Sequence, residues 1–207
     1  MEIRSLGLSD YQKIWELQRE LVQERRLGRI PDTLLLLEHF PVYTRGISSQ
    51  TAIPAHLPHP AHLIERGGDW TYHGPGQLVG YPIMNLAECG LRVREYLRFL
   101  EEILIDSLND FGLKAETMKG FTGVWCGNKK IASIGIAVKN GISYHGFSLN
   151  VCCDLSPFHL IYPCKLEPDE ISTLQLLLKR TLTVKEVEDR VKETFLRKTR
   201  ELFISAL

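Results

Sequence analysis

A cysteine thiolate attacks acyl thioesters readily, and the thioester it forms stays reactive, so cysteine is the natural nucleophile for moving acyl groups between carriers. The chain holds five. Cys89, Cys126, Cys152 and Cys153 sit within or beside apolar segments and are expected to pack as small hydrophobes. Cys164 follows Pro163 and precedes Lys165, which makes it the best-placed nucleophile on composition alone. A free thiol has a pKa of about 8.5 and needs a nearby cation to ionise at neutral pH. The second chemical stretch is Arg66–Ile83, RGGDWTYHGPGQLVGYPI, where five glycines surround Arg66, Tyr72, His73 and Gln77. Glycine lets a backbone approach a ligand closely, and four polar side chains among the glycines suit orientation of a polar substrate. Pro75-Gly76 fits the central positions of a type II turn, which fixes the direction of His73.

Other uses of these residues fit less well. No lysine follows the glycines at P-loop spacing, and Gly80 comes one residue too late for a dinucleotide fingerprint. His145, Cys152, Cys153, His159 and Cys164 are close in sequence but contain no C-x2–4-C pair, so zinc is not expected. A Cys-His hydrolase, with Cys164 activated by His73 or His145, stays open. It differs from a transferase in releasing free fatty acid. A non-enzymatic acyl-binding module would not need Cys164 for attachment.

The elements that must position these groups are legible in part. Ser9 and Gln12 form a capping-box pair ahead of Tyr11, Ile14, Trp15, Leu21 and Val22, which predicts a helix over residues 10–27. Thr33–Glu38 reads as a buried strand, Leu78–Ile83 as another, and 46–60 as a mobile loop near the site. Helical spacing from Leu91 to Phe111 ends at Gly112, a natural C′ residue. Lys130–Lys139 and Ile142–Val151 flank Asn140-Gly141, the strongest short hairpin signal. A two-residue turn there pairs positions that sum to about 281, so Gly135 faces Gly146 and Ser133 faces Ser148. The opposed glycines are expected to leave a notch for a thin acyl chain. Strict alternation puts Lys130 on the face opposite Gly135 unless a bulge intervenes. Asp154–Tyr162 reads as an irregular loop or short helix leading to Pro163-Cys164. Thr183 and Glu186 cap a last helix that shows Val187, Val191, Phe195 and Leu202 on one face. Helices at both ends with strands between them predict α+β.

Bulk properties set outer limits. The 207 residues suit a single domain, 1–207, and 25 basic against 25 acidic residues give no global field for nucleic acid. No apolar run reaches a membrane span, and Met1-Glu2-Ile3-Arg4 does not begin a signal peptide. An odd, irregular set of cysteines suits a reducing cytoplasm.

The stretch from Arg66 to Ile83 resembles the signature of the lipoyl(octanoyl) transferases. Further pieces match in order: Leu37-Glu38-His39-x-Pro41-Val42-Tyr43-Thr44-x-Gly46, Lys130-Ile131-Ala132-Ser133-Ile134-Gly135, Tyr144–Asn150, and Pro163-Cys164. The resemblance runs from about residue 8 to the last helix. It implies the α+β biotin/lipoyl protein ligase-like catalytic fold, a mainly antiparallel sheet packed with helices. It also implies octanoyl (or lipoyl) transfer from acyl carrier protein to a lysine of lipoyl domains, in 2-oxoacid dehydrogenase complexes or the glycine cleavage H protein. By the same resemblance, Cys164 carries the acyl group and Lys130 tunes the thiol and shuttles protons. Lys129 lacks the Lys-x-x-Ser-x-Gly spacing. Substrate contacts fall on Arg66, Gly67, Gly68 and Asp69, on Trp70, Thr71, Tyr72 and His73, on Ser133, Ile134 and Gly135, and on Gly146, Phe147 and Ser148. No cofactor, nucleic acid or membrane is implied, and the expected state is a cytoplasmic monomer. Lys165-Leu166 stands where the family usually has Gly-Ile. Within the fold, an ATP-dependent lipoate ligase or a lipoyl-domain amidotransferase is the alternative.

Overall fold

Four consecutive leucines lie at the centre of the structure. In a computed structural model, which describes residues 1–49, 54, 56–161 and 168–205, they belong to strand β2, Thr33–His39. Leu34 and Leu36 enter a core beneath helices α2 (Val93–Asn109) and α4 (Val184–Ser205), and Leu35 and Leu37 enter a second core beneath α1 (Tyr11–Arg26). All four are essentially inaccessible. Each stabilises the fold by roughly 1.5–3 kcal/mol through burial. An unbroken apolar run, not an alternating one, is what a strand covered on both faces requires.

The sheet holding β2 has the order β1-β2-β6-β9-β8-β7. Its other strands are β1 (Glu2–Ser9), β6 (Gln77–Ile83), β7 (Val124–Cys126), β8 (Lys129–Lys139) and β9 (Ile142–Asn150). Among the described strands of this sheet, β1 and β2 pair in parallel and every other neighbouring pair is antiparallel. A smaller sheet, β4-β3-β5, is built from Val42–Arg45 (β3), Ala61–Leu63 (β4) and Trp70–His73 (β5). A short helix, α3 (Leu174–Leu178), is capped by Thr173. The class is α+β, as the sequence predicts.

The hairpin register is the predicted one. Every ladder pair of β8 and β9 obeys the expected sum, including Ser133 opposite Ser148 and Gly135 opposite Gly146. Asn140 and Gly141 both take positive φ, +52° and +80°, as a type I′ turn demands. The bulge that decides the position of Lys130 is present. On the other side of β8, Ala132 pairs with Val124 but Lys130 pairs with Trp125, leaving Ile131 as the extra residue. Gly112 (φ +80°) is the C′ residue of α2: its N–H reaches the Asn109 carbonyl and that of Leu113 the Leu108 carbonyl. The Thr183–Glu186 capping box is formed in both directions.

Three expectations are corrected or enlarged. The N-cap of α1 is Asp10, whose carboxylate accepts from the Lys13 N–H at 3.0 Å, whereas Ser9 ends β1 and turns its hydroxyl to the Leu6 carbonyl. Residues 2–9 and 70–73 are strands that the sequence does not announce. The start of the 46–60 loop is fastened: Gly46, Ile47 and Ser48 donate to the carbonyls of Asp69, Arg66 and Gly68. Residues 50–53 and 55 lie outside the described residues, as do residues 162–167, which include Pro163, Cys164 and Lys165.

Candidate functional site

The Gly-Pro-Gly-Gln turn locks a line of polar groups across the sheet. Gln77 N–H closes the turn onto the Gly74 carbonyl at 3.2 Å, and Gly76 takes φ +85°, the type II geometry. A Cβ at Gly76 would lie 2.6 Å from the Cys153 nitrogen, so only glycine lets the turn dock there. With the turn set, Gln77 accepts from His73 Nδ1 (2.7 Å) and donates to Asn150 Oδ1 (2.8 Å). Asn150 donates to the Ser172 carbonyl, and the Ser172 N–H donates to the Lys130 carbonyl at 2.9 Å. The chain of contacts ties His73 to Lys130 and to the segment that follows residues 162–167.

Two adjoining clefts open beside this line. The inner one, about 40 Å³, is lined by Arg66, Gly67, Gly68, Thr71 and His73 from one side. Ser133, Ile134 and Gly135 from β8 and Gly146, Phe147 and Ser148 from β9 line it from the other. The outer cleft, about 480 Å³, shares Gly67, Gly68, Ile134 and Gly135 and adds Asp69, Phe121 and Lys130. Strand alternation divides the predicted Trp70–His73 set: Thr71 and His73 line the inner cleft. Trp70 and Tyr72 line neither cleft and pack with Tyr43, Phe158 and Ile161. Arg66 is buried, its guanidinium donating to the carbonyls of Thr44, Gly67 and Asp69 at 2.8–3.0 Å, which shapes the glycine loop around it. Tyr11, Ile64, Tyr81 and His145 also line the inner cleft. Sequence patterning assigns Tyr11 to a helix core and does not single out Ile64 or Tyr81, and only the tertiary fold brings them here.

The lysine pair is split. Lys129 sends its ammonium to the Asp169 carbonyl, whereas Lys130 is 4% exposed and lines the outer cleft. Cys164, its predicted partner, lies outside the described residues. Among the other thiols, burial pushes Cys89 and Cys153 up to about 12 and raises Cys152 as well. These cysteines are poor nucleophiles at neutral pH.

The site histidines are held neutral. Burial, then neighbouring His39, pushes His73 down to about 3, burial brings His39 to about 4, and burial also lowers His145. Imidazoles of that kind are feeble bases, which disfavours the Cys-His hydrolase reading. They also set an acid limit. The unfolded chain protonates His39 and His73 near pH 6.5 and the folded one only near pH 3–4, so between those values the unfolded state binds more protons. Stability is therefore full above about pH 6.5 and is lost as pH falls toward about 4. Denaturant titrations at several pH values are expected to show this loss, and His39→Gln should flatten the slope by about one proton. A slope unchanged by that substitution would show that His39 is not the group responsible.

The opposed glycines do something other than leave a notch. A Cβ on Gly146 would collide with the Gly80 carbonyl and lie 2.7 Å from Pro82 Cδ, and one on Gly135 would lie 3.0 Å from Arg66 Cδ and the Gly67 carbonyl. Both glycines border the inner cleft, but the space beside them belongs to β6 and to the Arg66–Gly67 loop. Gly146→Val is expected to destabilise by about 3 kcal/mol, lowering Tm by ~6–12 °C, with equal loss for short and long acyl chains. A loss confined to long chains at unchanged Tm would restore the notch reading.

Among the described residues no group of three or more His, Cys, Asp or Glu is placed to hold a metal ion. No helix among them is long and apolar enough to cross a membrane.

Comparison with known proteins bears on all of this. Residues 10–196 match the family model described as the lipoyl protein ligase A/B catalytic domain. The octanoyltransferase of Syntrophotalea carbinolica is 44% identical over 191 residues, covering 92% of this chain and 90% of that protein. That of Synechococcus elongatus is 49% identical over 173 residues, covering 81% and 74%. Among solved structures, lipoate-protein ligase A bound with ATP superposes with a TM-score of 0.76 at 15% identity, covering 97% of this chain and 86% of that one. The biotin protein ligase of Aquifex aeolicus superposes at 0.56 and 13% identity, covering 97% and 70%. These two likenesses speak to the fold.

Proposed function

The chain belongs to the lipoyl protein ligase A/B catalytic-domain family, and we propose that it works by a two-step acyl exchange on Cys164. It is an acyltransferase that moves an octanoyl group in protein lipoylation. In the first step the Cys164 thiolate attacks the carbonyl carbon of an octanoyl thioester on acyl carrier protein. The carrier's C–S bond breaks, and the departing thiolate takes the proton of the Lys130 ammonium, leaving a neutral amine. In the second step a lysine amine of a lipoyl domain attacks the enzyme thioester, the Cys164 thiolate leaves, and the amine's proton passes to the neutral Lys130, which becomes an ammonium again. Thioester to amide runs downhill, so ATP is not required.

The observation that carries this reading is the juxtaposition of two clefts through a shared wall of Gly67, Gly68, Ile134 and Gly135. The acyl chain is assigned to the inner cleft, whose walls include Ile64, Ile134 and Phe147 and which must widen from about 40 Å³ to take it. The outer one holds the buried Lys130 and has room for a carrier arm or an acceptor lysine. On the same reading residues 1–207 form one catalytic domain, acting as a cytoplasmic monomer. The family match over 10–196 supports the single domain. Likeness at 44–49% to octanoyltransferases, against 15% to the ATP-bound ligase, favours transfer over ligation.

The test is a reconstitution without nucleotide. Mixing the protein with octanoyl-acyl carrier protein and a lipoyl domain is expected to add one octanoyl group to the domain lysine. Transfer only when ATP and free octanoate are supplied would favour the ligase. Release of free octanoate with no modified lysine would favour the hydrolase.

A further inference from the structure

We propose that Tyr11 and His145 set the upper length of the acyl chain, forming a polar end to the inner cleft that a longer apolar tail has to strip of hydrogen-bonding partners. The inference rests on the assignment of the acyl chain to that cleft and adds the feature that limits its length.

The two clefts share Gly67, Gly68, Ile134 and Gly135, and Lys130 stands beyond that wall in the outer one. An acyl chain with its carbonyl turned to the shared wall points its methyl end at the lining the clefts do not share. Tyr11 from α1, Tyr81 from β6 and His145 from β9 belong to that part.

Two of these three lack protein partners. Tyr11 is 4% exposed and His145 1% exposed. Among the described residues, neither the Tyr11 hydroxyl nor either ring nitrogen of His145 has a hydrogen-bond partner. His145 Nε2 stands 3.6 Å from Glu65, a carboxylate that already accepts from the Trp15 indole N–H and from Arg19. Tyr81 differs, because its hydroxyl donates to His39 Nε2 at 2.8 Å while His39 Nδ1 donates to the Ser9 carbonyl. Buried polar groups are nearly always satisfied, and one without a protein partner takes water where there is room. A water needs about 10–15 Å³. The inner cleft has about 40 Å³.

The backbone turns His145 to this place against the pattern of its strand. Tyr144 packs in the core beneath α1 and Phe147 in the core beneath α2 and α4, so regular alternation would send His145 to the face of Phe147. Its φ of +55° breaks the alternation. The ring lies instead beside Tyr144 and Tyr81, at 4.8 and 6.3 Å, on the α1 side. The β6–β9 ladder stops at the Gly80–Phe147 pair, and the His145 N–H is accepted by Gln18 of α1 at 2.8 Å. A left-handed residue other than glycine is costly, and such strain gathers where function needs it.

A chain that ends short of these groups leaves them hydrated. A longer one covers them with methylene and leaves buried donors and acceptors unpaired, which penalises the longer substrate by roughly tenfold or more.

The test compares kcat/KM for octanoyl and dodecanoyl carrier thioesters with the full chain. Tyr11→Phe removes one oxygen and almost no volume. It is expected to raise the dodecanoyl-to-octanoyl ratio about tenfold or more, with Tm unchanged or higher because the lost hydroxyl has no protein partner. His145→Gly, which suits the positive φ, is expected to move the ratio the same way. Ile64→Ala widens the same cleft and leaves its polar groups in place. A ratio unmoved by Tyr11→Phe but raised by Ile64→Ala overturns the proposal in favour of volume. A Tm several degrees lower in Tyr11→Phe also overturns it, by showing the hydroxyl bonded to protein. A photolabel tests the assignment beneath it. An octanoyl thioester ending in a diazirine is expected to crosslink to the peptides that carry Ile64, Tyr81 or His145. Crosslinks at Val93, Leu97 or Phe121 of the outer cleft would remove the assignment and take the proposal with it.

Discussion

Replacing Cys164 by alanine is expected to abolish the acyl-enzyme and to slow octanoyl transfer by on the order of 10⁵–10⁶-fold, the scale at which a hydrolase loses its nucleophile. Incubation of the native chain with octanoyl carrier protein should add one octanoyl group to its mass, and Cys164→Ala should add none. The environments of the other thiols sharpen the expectation. Cys89 and Cys153 are pushed to about 12 by burial and Cys152 is raised as well, so none of them can take over as thiolate at neutral pH. Cys126 is half-buried at the end of β7, and Cys126→Ala serves as the control that should leave the mass shift intact. An octanoyl adduct that persists on Cys164→Ala, mapped to another residue, would move the nucleophile there and dismantle the two-step scheme.

What the sequence reveals here depends on how local the physics is. The β8–β9 register is legible because Asn140-Gly141 restricts the turn to one geometry, and a period of two then fixes every pair. Gly112 and the Thr183–Glu186 box are legible for the same reason, since each is decided within a single turn of chain. The small sheet is not, because β3, β4 and β5 are three or four residues long and acquire their identity only from one another. Strand β1 escapes because its burial does not alternate cleanly and its pairing slips between Ser5 and Gly7. Once β5 is recognised, its period explains why a contiguous motif divides, with Thr71 and His73 turned to the cleft and Trp70 and Tyr72 turned to the core. The opposed glycines were visible in register, yet their purpose was not. Whether a missing side chain leaves room for ligand or for protein depends on Gly80 and Gly67, which come from distant strands and loops.

Lys130 is the sharpest instance of the same limit, and its replacement is the second large effect expected. Alternation alone puts it on the wrong face, and only the pairing of β8 with β7 reveals the bulge that brings it to the cleft. Lys130→Ala is expected to slow acylation of Cys164 by about 10²–10⁴-fold in single-turnover assays, the usual size of a lost acid–base group. Lys129→Ala should be mild, because that side chain is tied outward to the Asp169 carbonyl. Equal effects of the two would refute the assignment. Lys130→Arg then separates the two jobs proposed for the residue. Arginine keeps a positive charge but does not release a proton in proteins. If the lysine acts only as a fixed cation, Lys130→Arg should recover much of the rate of acyl-enzyme formation and of transfer to the acceptor lysine alike. If it also carries the acceptor's proton, the first step should recover and the second should stay slow, so that the acyl-enzyme accumulates. Accumulated octanoyl-enzyme in the arginine variant, absent from the native protein under turnover, is the expected outcome. Full recovery of both steps would confine Lys130 to electrostatics.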